Sequence, residues 1–504
     1  MIAALALLLA VAVALRVPAL IEPRFWLDEM ISISVAQEGV LGSIIATLRL
    51  SSHPPVYYTQ LAIWMLGGNG DVWLALNPVL WSLASIGLLI WLGARRLGLA
   101  AALAAAALVA TLPQMLYAAE NVRMYPMMHA LSIVAWWCNE RYFAVSETPA
   151  RPWPLLLGLA ACQLLVGFSH AVGPMLAALL GLHGLLLAVG RWPPTRRSWT
   201  WLAVQLAVGA MLVVVLFNGL LREPQHQPAK DLSALWESLV APFFDPLAQY
   251  QGIGWLLPAL VLLLVAIAAV RSPDLRATAI ALVVVPMLAL EIAVLADLPL
   301  PGGRVVALIV PFVALAAGSQ AVAWYRAGPV GTRRLVAVAG ATMLAVCLLA
   351  GLLHLANWEK STNYRAAAAH LRQHVEDGDA IVVANMSATH WGLARELIGP
   401  DWGSAMAVQP PPNERWSKLI GRLGPNLANR LGLMPETDTI DWQGHPFAVG
   451  MQAVSPAAPG QRTWLVTYVS WNRDDLAAQM RSAGWQLREE IEFRRVYVAL
   501  YTSG

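Results

Sequence analysis

One stretch decides the class of fold: residues 72–94 read VWLALNPVLWSLASIGLLIWLGA. It contains no charged side chain, and it is as long as the roughly 20 apolar residues with which an α-helix crosses the hydrocarbon core of a bilayer. Two cations, Arg95 and Arg96, follow it directly. Because Lys and Arg concentrate in cytoplasmic loops, the stretch predicts a membrane-spanning helix whose last residues face the cytoplasm.

The same character extends along the chain of 504 residues, which is 58% hydrophobic and 12% charged. A soluble globular protein carries about 25% charged residues, and a disordered chain has low hydrophobicity, so both classes are excluded. The net charge is only +3 and the cations are scattered, so no nucleic acid partner is expected. Cys138, Cys162 and Cys347 lie in or beside apolar runs, so we expect no disulfide framework.

We therefore predict a polytopic α-helical membrane protein with about 11 transmembrane helices. The predicted spans lie near residues 2–21, 72–94, 99–116, 124–143, 154–168, 172–190, 200–220, 253–270, 277–296, 304–324 and 334–355. Residues 1–21 are interpreted as an uncleaved first span, because a signal peptide begins with a positive side chain and has a shorter apolar run. The apolar stretch 54–66 is too short to cross, so we predict a juxtamembrane or re-entrant segment there.

Loop charges predict the orientation of the spans. Arginines cluster in the loops that follow alternate spans, whereas the intervening loops carry more acids. The positive-inside rule then places the N-terminus in the cytoplasm and the C-terminus outside. The chain is rich in Ala and Arg and poor in Lys, which is typical of a bacterium with a GC-rich genome. We therefore predict a bacterial inner (plasma) membrane protein with a periplasmic outer face.

Charged residues become frequent after about Leu355. We predict two domains: a transmembrane domain over residues 1–355, with a first outer loop at 22–71 that contains juxtamembrane helices, and a soluble periplasmic α/β domain over residues 356–504. Within the second domain, the patterns predict helices over 364–375 and after Asn472, and strands over 379–384, 464–470 and 490–501.

Two adjacent acids, Asp28 and Glu29, follow the first span beside Phe25 and Trp26. Aromatic side chains anchor a loop at the headgroup level, and would hold these acids close to the apolar phase. Low dielectric raises the pKa of a carboxyl group and strengthens its pull on a proton, which suits a general base. The alternative is a pair of solvated loop acids.

The stretch His53-Pro-Pro-Val-Tyr57-Tyr58 predicts the start of a helix, because proline fits the first helical turn. It places a histidine and two tyrosines at the outer interface, where a simple aromatic belt is the alternative. His170, between the fifth and sixth predicted spans, is interpreted as a polar loop residue.

Between the third and fourth spans lie Tyr117, Glu120, Arg123 and Tyr125. Glu120 and Arg123 are three residues apart, so on a helix they share a face and could form an ion pair. Alternatively, Arg123 binds phosphate, because its planar guanidinium matches phosphate oxygens. Arg304, at the start of the tenth span, could do the same or extend to the lipid headgroups.

These motifs, in this order, resemble the GT-C superfamily of membrane glycosyltransferases, and most nearly its protein O-mannosyltransferase and aminoarabinose-transferase branch. That branch carries an Asp-Glu pair in the first outer loop, a His-Pro-Pro-Leu-Tyr-Tyr-like helix, a Tyr-x-x-Glu-x-Arg-x-Tyr segment and an Arg-Tyr-type motif that opens a late span. The matching positions are Asp28-Glu29, His53 to Tyr58, Tyr117 to Tyr125, and Pro301-Gly-Gly-Arg304-Val305, which keeps the arginine but lacks the tyrosine.

The resemblance implies transfer of a sugar from a polyprenyl-phosphate donor, with inversion, to a hydroxyl or amine of a lipid, glycan or protein acceptor. It makes Asp28 the general base, and assigns Arg123, Arg304 and His53 to the donor phosphate. Glu29 would orient the acceptor or, with Asp28, hold a divalent metal, the one possible cofactor. The predicted substrate-binding set also includes Tyr57, Tyr58, Glu120 and Tyr125.

Two other functions fit a membrane protein with charged residues. A transporter or flippase of lipid-linked sugar would place ionisable groups within its spans, often in inverted repeats, whereas here they lie at one face. An inactive GT-C-like scaffold that binds glycan would not need both acids and both arginines. We therefore expect an enzyme.

Overall fold

The computed structural model describes residues 2–50, 53–144, 152–191, 193–220, 256–295, 302–357, 362–383, 387–400, 440–442, 445–449, 457, 459–468 and 473–503. The chain forms two compact units. The first comprises Met1–Ile21, Ser52–Tyr57 and Ala75–Trp358, and the second comprises Glu22–Ser51, Tyr58–Leu74 and Glu359–Gly504. The predicted domain boundary near residue 355 stays a prediction. Most of the first outer loop groups with the tail in the second unit, whereas Ser52–Tyr57 belongs to the first.

Helices dominate the chain up to Asn357. They are α1 (Ile2–Ala14), α2 (Leu27–Gln37), α3 (Gly39–Leu50), α4 (Val56–Met65), α5 (Asp71–Leu97), α6 (Leu99–Thr111), α7 (Pro113–Glu120), α8 (Tyr125–Tyr142), α9 (Trp153–Gly167), α10 (Gly173–Val189), α11 (Arg196–Leu220), α12 (Leu256–Arg271), α13 (Pro273–Ala279), α14 (Val285–Leu295), α15 (Gly302–Ala327) and α16 (Val330–Asn357). A 3₁₀ turn, Val17–Leu20, follows α1, and a π turn, Ile280–Val284, joins α13 to α14.

The predicted helical character is confirmed, since a helix occupies each of the predicted spans. Within the described residues, four helical segments are long and apolar enough to cross a membrane: Ile2–Leu20, Asp71–Leu97, Ala307–Ala327 and Val330–Ala356. The bent pair α6 and α7 would be a fifth. The α4 helix has 10 residues, about 15 Å at 1.5 Å per residue, which is too short to cross. The count of about 11 spans stays a prediction.

Prolines explain two irregularities of the bundle. Pro113 begins α7, and the axes of α6 and α7 differ by 62° there. Pro311 lies inside α15, and because proline has no N–H, the carbonyl of Ala307 one turn earlier loses its helical partner. His129 of α8 replaces that partner, with its Nε2 2.8 Å from the Ala307 oxygen. The proline therefore creates the hydrogen bond that joins α8 to α15.

Arg16 joins three helices at the end of the first span, although no sequence motif pointed to it. Its side chain is almost fully buried. Nε donates to the hydroxyl of Ser82 at 2.8 Å, and Nη1 donates to the carbonyls of Ala12 at 2.9 Å and Ala110 at 3.2 Å. Ala110 lies in the last turn of α6, where carbonyls have no helical donor. One guanidinium therefore ties α1 to α5 and caps α6 at the bend.

A second buried network lies at the predicted cytoplasmic end of the bundle. Arg96 of α5 donates from Nε to the Glu140 carboxylate of α8 at 2.7 Å. The other oxygen of Glu140 lies 3.1 Å from Nε2 of His183, on α10. Arg96 also contacts Asp274 of α13 at 3.3 Å. Glu140 thus joins three helices through one buried carboxylate.

The second unit contains α2, α3, the helices α17 (Tyr364–His374), α18 (Ser387–Ile398) and α19 (Arg473–Ser482), and one mixed sheet. The strands are β1 (Ala380–Val383), β2 (Ile440–Trp442), β3 (His445–Val449), β4 (Arg462–Tyr468), β5 (Trp485–Phe493) and β6 (Val496–Ser503), in the order β2-β3-β1-β4-β6-β5. Strand β1 is parallel to β3 and β4, and the other pairs are antiparallel. Leu476 and Met480 of α19 pack on Leu465 of the sheet.

The tail confirms four of its predicted elements: the helices at 364 and after 472, and the strands near 380 and 464. The single strand predicted over 490–501 is wrong, because the chain makes the β5–β6 hairpin there. Its turn residues, Arg494 and Arg495, have φ angles of 41° and 61°. Two-residue hairpin turns that need a positive φ at both central positions favour Asn-Gly. Two arginines at these positions are therefore not a sequence signal for a turn.

We predict that Glu140→Gln destabilises the bundle much more than Asp274→Asn does, although both contact Arg96. The Glu140 side chain is 3% exposed and that of Asp274 is 76% exposed. Breaking a buried ion pair at one partner costs about 3 kcal/mol or more, whereas an exposed pair is worth less than about 1 kcal/mol. Thermal unfolding in detergent, followed by tryptophan fluorescence, measures the difference. Equal shifts of the midpoint would contradict the structural role of Glu140.

Candidate functional site

Four side chains meet in the first unit: His53, Arg123, Tyr125 and His170, all of them buried. The imidazole of His53 stacks on that of His170, with ring centroids 4.2 Å apart and planes 29° apart. Nη2 of Arg123 lies 3.2 Å from Nε2 of His53, and the Tyr125 hydroxyl lies 3.5 Å from Nε2 of His170. The structure therefore brings together three predicted site residues and adds His170, whose only sequence signal was its place between two spans at the outer face.

Two connections position this cluster. Helix α7 ends at Glu120 and α8 begins at Tyr125, and the Asn121 side chain donates to the Tyr117 carbonyl at 2.5 Å, which closes the end of α7. Arg123 therefore lies in a tight link between helices. His53 lies just before α4, where the backbone N–H of Val56 donates to the carbonyl of Phe168 at 2.9 Å. This bond fastens the start of α4 to the α9–α10 connection that carries His170.

Hydrogen-bond partners orient the two imidazoles. Nδ1 of His170 accepts from the backbone N–H of Val172 at 3.0 Å, so a neutral His170 carries its proton on Nε2 and donates to Tyr125. Nε2 of His53 faces the Arg123 guanidinium at 3.2 Å, and its Nδ1 faces the backbone N–H of Ala171 at 3.4 Å. The imidazole therefore bridges Arg123 and the α9–α10 connection, which holds the guanidinium in one orientation.

Glu120 does not lie on one helix with Arg123, as the three-residue spacing between them predicted. The expectation that Glu120 and Arg123 share one helical face is wrong, because α7 ends at Glu120. Its carboxylate instead lies 3.1 Å from Nε2 of His354, on α16, and it is also within electrostatic range of Arg16. The buried Glu120 thus links α7 to α16.

The remaining predicted residues are spread over both units. Tyr57 lies in the first unit and Tyr58 in the second, and both rings are fully buried. Arg304 belongs to the first turn of α15, but its side chain lies outside the described part of the chain. Asp28 and Glu29 lie in the second unit.

Glu29 acts as the cap of its own helix. Helix α2 begins at Leu27, and Oε2 of Glu29 accepts a hydrogen bond from the backbone N–H of Trp26 at 3.0 Å. Such a reciprocal bond satisfies a donor that the helix leaves unpaired. The Glu29 side chain is fully buried, whereas Asp28, one residue earlier, is half-buried. The cap therefore holds the turn that presents Asp28.

The tail contributes to the surroundings of Asp28. Burial raises the pKa of Tyr364 well above its ordinary value, the Thr389 and Thr362 hydroxyls offset part of the rise, and the Asp28 charge adds to it. The Tyr364 ring packs against Gly392, where a Cβ atom would come within 2.4 Å of the ring. Tyr364 of α17 is therefore wedged against α18 within electrostatic range of Asp28.

The described side chains do not form a set of metal ligands. Across the residues that the structure describes, no three His, Cys, Asp or Glu side chains come together as ligands. A cation between Asp28 and Glu29 would compete with the Trp26 N–H for the Glu29 carboxylate. The metal stays a prediction.

Comparison with known proteins finds likeness in structure alone. No family model matches the sequence, and no curated protein matches it. Two crystal structures of ArnT from Cupriavidus metallidurans do match. The apo form has a TM-score of 0.62 at 14% identity, and the form bound to undecaprenyl phosphate has a TM-score of 0.57 at 15% identity. Each match covers 98% of this chain and 97% of the ArnT chain.

A third match is more distant. The archaeal oligosaccharyltransferase AglB from Archaeoglobus fulgidus, in complex with an inhibitory peptide and a dolichol-phosphate, has a TM-score of 0.50 at 11% identity. It covers 99% of this chain and 74% of the AglB chain. At such low identities the matches show the fold alone: along nearly its whole length this chain shares the fold of ArnT, a transferase of the kind that its motifs resemble.

Proposed function

We propose that this protein is an integral-membrane glycosyltransferase that moves a sugar from a polyprenyl-phosphate donor to an acceptor hydroxyl or amine. The observation that carries the proposal is the buried Arg123–His53 pair, on the fold of a protein that was crystallised with undecaprenyl phosphate. A buried cation in a membrane bundle is costly and marks a functional site by default. A lipid-linked phosphate supplies both the negative charge and the apolar chain that such a site would bind.

The donor phosphate binds at Arg123. A guanidinium offers parallel N–H groups that match two phosphate oxygens, and His53 and the linker between α7 and α8 hold it in one orientation. Arg304 supplies a second cation, as the motif resemblance implies. These charges stabilise the polyprenyl phosphate as the bond between its oxygen and the anomeric carbon breaks.

Asp28 serves as the general base. It takes the proton from the acceptor hydroxyl or amine, whose oxygen or nitrogen forms the new bond to the anomeric carbon on the opposite face. The configuration at that carbon inverts, and polyprenyl phosphate leaves. Glu29 holds the first turn of α2 through its bond to Trp26, so its part is to position the base. The acceptor is a lipid, a glycan or a protein.

The reaction takes place at the periplasmic face of the inner membrane. The clustering of arginines in alternate loops supports a cytoplasmic N-terminus and a periplasmic tail. In this orientation the tail, residues 356–504, and the first outer loop, residues 22–71, share the compartment in which the acceptor is found.

We predict that Asp28→Asn abolishes transfer while Glu38→Gln preserves it. Both changes turn a carboxylate into an amide, one in the first turn of α2 and the other at its C-terminal end. Loss of a general base costs about 10²–10⁴-fold in rate. The assay offers polyprenyl-phosphate sugars and an envelope extract to the reconstituted protein, and mass spectrometry measures consumption of the donor.

The outcomes separate the alternatives. Equal consumption by wild type and Asp28→Asn would keep the transferase and exclude Asp28 as its base. Movement of lipid-linked sugar between leaflets, unchanged in Asp28→Asn and without consumption of donor, would indicate a flippase. Glycan binding with neither transfer nor flipping would indicate a scaffold.

We also predict that Arg123→Gln weakens the binding of undecaprenyl phosphate by about 10–100-fold, because a hydrogen bond to a charged group is worth about 1.5–3 kcal/mol. Arg141→Gln, at the other end of α8, should leave the affinity unchanged. Titration of the purified proteins with undecaprenyl phosphate, read by native mass spectrometry, gives the dissociation constants. Equal affinities of wild type and Arg123→Gln would exclude Arg123 as the phosphate ligand.

A further inference from the structure

We propose that Arg395 and Arg365, two arginines of the tail, are positioning residues that hold the first outer loop and thereby fix the helix that carries Asp28. The inference deepens the proposed function and rests on it for the role of Asp28. Every contact that supports it lies within the second unit.

Arg395 of α18 binds the end of the loop. Its Nη2 donates to the Asn69 carbonyl at 2.8 Å and to Oδ1 of Asp71 at 2.5 Å, and its Nε donates to the same carboxylate oxygen at 3.1 Å. The Arg395 side chain is 4% exposed. A buried guanidinium that forms several bonds has one geometry, so it fixes the backbone that it contacts.

The two arginines also reach the start of the loop. The guanidinium carbon of Arg395 lies 5.2 Å from the centroid of the Phe25 ring, close enough for a cation–π contact. Arg365 of α17 donates from Nη2 to the carbonyl of Pro23 at 3.0 Å. Two residues after Phe25, α2 begins at Leu27. The start of α2, which presents Asp28, is therefore held from the tail.

A shared set of charges links the two ends. Arg365 lies 3.8 Å from Asp71 and 3.4 Å from Glu396, and Asp71 is also the partner of Arg395. Burial raises the pKa of Glu396 above its ordinary value, and Arg365 counters part of that rise. The charges of two guanidinium groups and two carboxylates thus compensate one another. Removal of any one group changes the electrostatic environment of the other three.

Two further features stiffen the same region. The carbonyl of Pro400 accepts from Gln37, the last residue of α2, at 3.4 Å and from Asn69 at 3.3 Å. The rings of Trp64 and Trp73 stack 4.4 Å apart, and each indole N–H donates to the other residue's carbonyl. These contacts add to those that Arg395 makes with the end of the loop.

The consequence for catalysis follows from the geometry of proton transfer. Misplacement of a reacting group by about 1 Å costs about 10²-fold in rate. Without Arg395 the first turn of α2 would keep its own cap but lose its fixed position. Asp28 would then be less often in the geometry for proton transfer from the acceptor. Binding of the donor phosphate at Arg123, in the first unit, would be unaffected.

The test compares Arg395→Ala, Asp71→Asn, their double variant and Arg395→Lys with Arg488→Ala, an exposed arginine of β5 in the same unit. We expect Arg395→Ala and Asp71→Asn each to lower kcat by about 10–100-fold with little change in KM for the donor. The double variant should lower kcat by less than the product of the two single effects, because each single variant already removes the Arg395–Asp71 contact. Arg395→Lys should restore part of kcat, and Arg488→Ala should match wild type.

Hydrogen exchange supplies a readout that does not need activity. In Arg395→Ala, amides of residues 24–31 should exchange faster than in wild type, by about tenfold or more, whereas Arg488→Ala should leave them unchanged. Unchanged exchange together with wild-type kcat in Arg395→Ala would overturn the inference. Faster exchange in a protein whose wild type transfers no sugar would retain the positioning contact and refute the proposed function instead.

Discussion

The hydrocarbon core of a bilayer offers no hydrogen-bond partners, so a charged side chain buried among the helices needs partners from within the protein. Arg16 caps a helix end, Glu140 joins three helices and Glu120 joins α7 to α16. Arg123 follows the same rule, and the imidazole of His53 is one of its partners. The guanidinium is held in one orientation and offers parallel N–H groups that match phosphate oxygens, which is why we assign the donor phosphate to it.

Interruptions of the helices position Arg123. The short helix α7 begins at Pro113 and ends at Glu120, and Arg123 lies in the link between α7 and α8. The hydrogen bond from His129 to Ala307 holds α8 in place beside the helix that Pro311 interrupts. Irregular backbone inside a membrane protein is tolerated where it is buried or lines a cavity, and here it positions a cation.

Sequence patterns predicted the helical segments well, because hydropathy suffices for them. They could not predict partners that lie far apart in the chain: Arg16 and Ala110, Glu120 and His354, or His53 and His170. The prediction that Glu120 and Arg123 share a helical face was wrong because the three-residue spacing rule assumes a continuous helix, and α7 ends at Glu120. The sequence analysis did not foresee that Glu29 caps its own helix, although a Glu at the third position of a helix often does so. Its part in catalysis stays a prediction.

We propose that the donor phosphate binds at Arg123, and a structure with the lipid bound tests this most directly. Cryo-electron microscopy of the protein in nanodiscs with undecaprenyl phosphate would locate the headgroup. We expect phosphate density within about 3 Å of the Arg123 guanidinium, with the Arg123–His53 contact retained. Phosphate density elsewhere, for instance at the Arg96 network at the other end of the bundle, would contradict it.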